Sequence, residues 1–115
     1  MTYGESDNYT FIQNEYEQVL RLFTSLQKEI TAARNLPDMT RSKLYEKLEE
    51  TILHMEIRVD ELDIFWSFIA RAEIAYKVYE NGKIPQALKD FAKIIWQVQC
   101  REENRPPNST PPIQL

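Results

Sequence analysis

Few side chains in this 115-residue chain could carry out covalent or acid–base chemistry. It has one histidine, His54, and one cysteine, Cys100. A nucleophilic mechanism needs a Ser, Thr or Cys held by a base. At 100° per residue, His54 falls about 120° from the apolar seam of its own segment, which predicts a solvent-facing imidazole. A di-metal helical bundle needs paired Glu-x-x-His motifs. Here Glu50 lies four residues before His54 and no second histidine exists. Two glycines, Gly4 and Gly82, cannot build a phosphate-cradling loop. The expectation is a chain with no catalytic, cofactor or metal site. An enzyme remains open only if a partner completes a site around His54 or Glu50.

The charges point towards macromolecular contact. The net charge is −4 and the pI is about 5.0, a balance that argues against non-specific binding to nucleic acid or an anionic membrane. The run EETILHMEIRVDELD holds Glu49, Glu50, Glu56, Asp60, Glu61 and Asp63 against a single Arg58. Around residues 28–47, Lys28, Arg34, Arg41, Lys43 and Lys47 outnumber Glu29, Asp38 and Glu46. Glu49, Glu56, Asp60 and Asp63 could form an acidic helix that docks on a basic partner, with most effect on association rate and salt sensitivity. The opening residues MTYGESDNYT show neither the basic start nor the apolar run of a secretion signal. No stretch approaches the ~20 uninterrupted apolar residues of a membrane span. The sequence reads as cytoplasmic, which makes the triplets Asn8-Tyr9-Thr10 and Asn108-Ser109-Thr110 chance matches to the glycosylation motif. A lone cysteine excludes an internal disulfide.

The elements that position these residues follow from periodicity. With 43% hydrophobic and 28% charged residues and only two glycines, the composition predicts an all-α fold. Residues 1–9 are expected to be a flexible N-terminus, 10–104 one helical-bundle domain, and 105–115 a disordered proline-rich tail. A first helix is expected to start at Thr10, with Gln13 as capping-box partner. Its seam is Ile12, Tyr16, Val19, Phe23, Leu26, Ile30 and Ala33, and Pro37 ends it. A second seam runs through Tyr45, Leu48, Ile52, Met55, Val59, Leu62, Trp66 and Ile69 without a break. It predicts one helix of about 40 residues, some 60 Å long. A break near Asp60, with Asp60 as cap, is the alternative and makes a four-helix bundle. Asn81-Gly82 offers a left-handed cap, and Pro85 opens a last helix with Ile84, Leu88, Phe91, Ile95 and Val98 on one face. The expected fold is an antiparallel bundle of three long helices, or four with that break.

The segment AEIAYKVYENGKIPQALKDFAKII resembles a single tetratricopeptide-type helical hairpin. Its first helix ends in an aromatic, Gly82 follows three residues later, and Ala87 and Phe91 take the small and aromatic positions. Arg71 and Ile74-Ala75 stand where that family puts its Trp and Leu-Gly. The resemblance implies a tight antiparallel helix pair and no binding residues.

The aromatics of LDIFWSFIARAEIAYKVY decide the functional expectation. Leu62, Phe65, Trp66, Phe68, Ile69, Tyr76 and Tyr79 spread over roughly 200°, wider than the ~100° stripe one neighbour covers. Trp96 points about 130° from its own helix's seam, beside Ala92, at 100° per residue. Trp96, Ala92 and the Phe68/Tyr79 flank are therefore the expected partner interface. The chain is expected to be an interaction module with protein partners, itself first among them, and to act as a homodimer or within a larger complex. The runner-up is an inhibitor or immunity-type protein that blocks a basic surface with helix 49–63. Neither reading invokes nucleic acid, a membrane or a small-molecule substrate.

Overall fold

The computed structural model describes residues 8–106 and 108–115. Among them are four helices: α1 (Gln13–Ala32), α2 (Asp38–His54), α3 (Asp63–Tyr79) and α4 (Gln86–Glu102). Each packs antiparallel on its neighbours in a ring: α1 on α2, α2 on α3, α3 on α4, and α4 back on α1. A two-residue strand β1 (Tyr9–Thr10) pairs antiparallel with β2 (Arg58–Val59), with Tyr9 opposite Val59 and Thr10 opposite Arg58. The expected flexible N-terminus thus lies partly outside the described residues, at 1–7, and partly in this ribbon.

The ribbon explains the main departure from the sequence reading. Residues 38–79 do not form one helix. α2 stops at His54, and the Phe11 N–H donates to the Ile57 carbonyl at 2.8 Å, extending the β1–β2 pairing. Met55, Val59 and Leu62 are still buried, but from a non-helical segment. Asp60 does not cap α3; Leu62 holds that place and its carbonyl accepts the Trp66 N–H at 3.1 Å. The break near Asp60 yields the four-helix bundle.

The helix ends have local causes. Thr10 belongs to β1, so α1 opens three residues later than expected. Ile12 flanks its start, and the Glu15 carboxylate accepts the Ile12 N–H at 3.0 Å. At the far end of α1, Arg41 of α2 donates to the Ile30 carbonyl (3.3 Å) and to that of Ala33, satisfying groups a helix terminus leaves orphaned. Pro37 flanks α2, and its carbonyl accepts the Arg41 N–H. α3 ends through Asn81 (φ 55°) and Gly82 (φ 76°), with the Gly82 N–H on the Tyr76 carbonyl at 3.0 Å.

The core centres on Phe91 of α4. Its ring meets Phe23 at 5.8 Å and both Phe65 and Phe68 at 6.2 Å, while Phe11 from the ribbon meets Phe65 at 6.2 Å. Tilted and edge-on pairs at such distances are each worth about 0.5–1.5 kcal/mol beyond their burial. The aromatics of α3 therefore serve mainly to fill the middle of the bundle. α3 needs cover on two sides; α2 supplies one and α4 the other, with Phe11 reaching between.

Candidate interaction surface

Four arrangements of side chains could bear on function: an ion-pair latch, an acidic segment, the outer face of α3, and the surface of α4 around Trp96.

The latch is made by Glu15, which is 2% exposed despite its charge. Its Oε2 accepts from Arg101 Nη1 and Gln97 Nε2, both at 2.7 Å. Its Oε1 accepts from Arg101 Nη2 at 2.8 Å as well as from the Ile12 N–H. Arg101 Nη2 also donates to the Thr10 carbonyl at 2.8 Å. Burial works to raise the carboxyl's pKa, but the hydrogen bonds from Arg101, Ile12 and Gln97, with the Arg101 charge, outweigh it and hold the value below normal. Beside this pair, Tyr9 donates to Glu103 Oε2 at 2.6 Å, and Arg105 Nε donates to Glu103 Oε1 at 2.6 Å. The hydrogen bond to that carboxylate, with burial, pushes Tyr9 up to about 12. These bonds tie the N-terminal ribbon and the start of α1 to the end of α4.

The acidic residues occupy several elements. Glu49 is on α2, Glu56 and Asp60 are on the non-helical segment between α2 and α3, and Asp63 opens α3. The expected acidic helix 49–63 is therefore a helix end, a loop with β2, and a helix start. Glu49, Glu56, Asp60 and Asp63 are all exposed. His54, Glu56, Arg58, Asp60, Glu61 and Ile64 line an open cavity of about 470 Å³. His54 is exposed and donates from Nδ1 to the Glu50 carbonyl at 2.9 Å. Among the described residues no group of three His, Cys, Asp or Glu side chains could hold a metal ion.

The expected aromatic interface is largely turned inward. Phe68 is 0% exposed, against Phe91, and Ala92 is buried beneath the C-terminal tail. Both are corrected from surface to interior. The Phe68 flank faces the ring of helices, and Tyr79, 39% exposed, emerges only where α3 runs past its end. The opposite side of α3 is the open one. Ile74 is 60% exposed and Val78 63%. They stand one turn apart, with Ala70 one turn earlier half-buried.

Trp96 is half-buried. Its ring meets Trp66 edge-on at 6.4 Å, and Trp66 Nε1 donates to Gln99 Oε1 at 2.7 Å. Trp96 Nε1 donates to the Ser109 carbonyl at 3.2 Å, so the tail and α3 share its cover. The tail, expected to be disordered, is placed against this face, with Ile113 packed on the core's edge.

Sequence reasoning missed Glu15, Gln97 and Arg101. A carboxylate three residues after Ile12, on the flank of the α1 seam, was the available signal. Nothing local marked its partner 86 positions away.

Among the described residues no helix is long and apolar enough to cross a membrane. No protein-family model, curated protein or solved structure matches the chain.

Proposed function

We propose that this chain is a helical protein–protein interaction module that self-associates, with the outer face of α3 as its contact. The reading rests on Ile74 and Val78, which hold large aliphatic side chains in water on the exposed side of α3. Exposed apolar residues scattered singly carry little meaning. Two in register on one helix, backed by Ala70, make a surface that a second copy of the helix could cover. Light scattering on eluting protein tests this. The native chain should run as a dimer at tens of micromolar, and Ile74→Asp should run as a monomer with unchanged helical signal. A monomeric native chain under those conditions rejects self-association.

A second reading is favoured by the segment between α2 and α3. Glu56, Asp60 and Glu61 form no salt bridge among the described residues. They sit on an exposed segment and could block a basic partner surface. Replacing Glu56, Asp60 and Asp63 by Lys should then abolish capture of that partner at low salt, leaving the fold intact. Unchanged capture rejects it.

A further inference from the structure

The face of α4 that carries Trp96 is a groove with a resident. After α4, Asn104 turns the chain through a left-handed conformation (φ 57°) and the Arg105 N–H returns to the Cys100 carbonyl at 2.8 Å. The tail then runs back along the helix. Ser109 lies at Trp96, and Pro111, Ile113 and Leu115 line a cavity of about 340 Å³ with Ala92 and Lys89. What the groove accepts is therefore visible: a non-helical segment, a carbonyl for the indole N–H, and aliphatic anchors.

The cover is incomplete in two respects. Past Trp96 the groove continues as a further cavity of about 500 Å³, bordered by Lys93, Trp96, Gln97, Cys100, Arg101 and Arg105, with none of residues 108–115 in its wall. Along the rim, Lys89 and Lys93 are exposed and form no salt bridge among the described residues. Residues 108–115, NSTPPIQL, offer no acidic side chain to meet them. Arg101 and Arg105 add positive charge at the far end, though Glu15 and Glu103 hold them.

We propose that this groove is a docking site for a non-helical partner peptide whose aliphatic anchor is flanked by carboxylates, and that residues 108–115 are its displaceable cover. Being tethered, the tail competes at an effective concentration of about millimolar. A competing peptide needs an advantage the tail lacks, and carboxylates that reach Lys89 and Lys93 supply it. The contact is distinct from the outer face of α3, so Ile74→Asp separates the two proposals.

The test uses the full chain and two synthetic peptides: NSTPPIQL, and the same peptide with Asn108→Asp and Gln114→Glu. Ile113→Ser should loosen the cover, without adding a carboxylate beside the lysines, and shift indole emission to the red. Helical signal is checked in parallel; if it is lost, Leu115→Ser takes its place. The loosened chain should bind the acidic peptide on the order of tenfold more tightly than the neutral one. The native chain should bind the acidic peptide more weakly than the loosened chain does. Lys89→Glu with Lys93→Glu should erase the preference. Unaltered emission on loosening, equal affinity for the two peptides, or a preference that survives the lysine reversal would each overturn the proposal.

Discussion

Tyr76 is on α3, and its hydroxyl is buried without a hydrogen-bond partner among the described residues. Burial, with the charges of Glu29 and Glu80 nearby, pushes its pKa up to about 12. The group therefore stays a neutral hydroxyl. An unsatisfied buried hydroxyl costs about 1–3 kcal/mol, and Phe fills the same space without it. Tyr76→Phe should leave the fold intact and raise stability by about 1 kcal/mol, read as a higher urea midpoint at unchanged slope. A lower midpoint would mean that the hydroxyl has a bound partner. At this scale the sequence showed which residues were apolar but not which way a wide arc would turn. Phe68 and Trp96 look alike by type; Phe68 ended against Phe91 and Trp96 under the tail, because the neighbours deciding this are distant in the chain.

At the scale of elements, the four-and-three seams located α1 and α4 because a helix packed along its length repeats its burial with its own period. Val19, Phe23, Leu26 and Ile30 carry that signal, and all are buried. The same rule failed at Met55, Val59 and Leu62. They keep the spacing yet lie in a segment that pairs with Tyr9 and Thr10, almost fifty residues earlier. Period detects burial, and a short non-helical stretch can imitate it. Punctuation was more reliable: Asn81-Gly82 was read as a left-handed cap and both residues have positive φ. A Cβ on Gly82 would meet no atom within 4 Å, so substitution there is opposed only by backbone conformation. Gly82→Ala should therefore cost about 1 kcal/mol, as lowered thermal stability without altered helix content. A loss several times larger would show that the turn packs against something else.

Across the whole molecule, the N-terminal ribbon, the α2–α3 segment and the end of α4 meet at one pole, where Glu15 and Glu103 fasten them. For both carboxyls burial works to raise the pKa, and the hydrogen bonds and charges around them outweigh it and bring the value below normal. A carboxyl whose folded value is depressed contributes its full stabilisation above the unfolded value of about 4.3, and loses it as pH falls through the folded value. Acid should thus unfasten this pole first. Thermal midpoints should stay level from pH 8 to pH 6 and fall below about pH 4.5, as carboxyls of the unfolded chain begin to take up protons. Glu15→Gln keeps the shape but gives up the charge and the fork with Arg101. At pH 7 it should cost about 1–3 kcal/mol, less than breaking a fully buried pair because Arg101 retains contact with water. As the pH falls through the depressed folded value of Glu15 the native carboxylate is neutralised too, and the gap between the two proteins should narrow. Amide exchange places the effect: the Phe11 N–H, which ties the ribbon to Ile57, should lose protection in acid before Phe91 at the centre. If the gap did not narrow as the pH fell below about 4, or Phe11 and Phe91 opened together, Glu15 and Arg101 would not be the fastening that sets the acid stability of this pole.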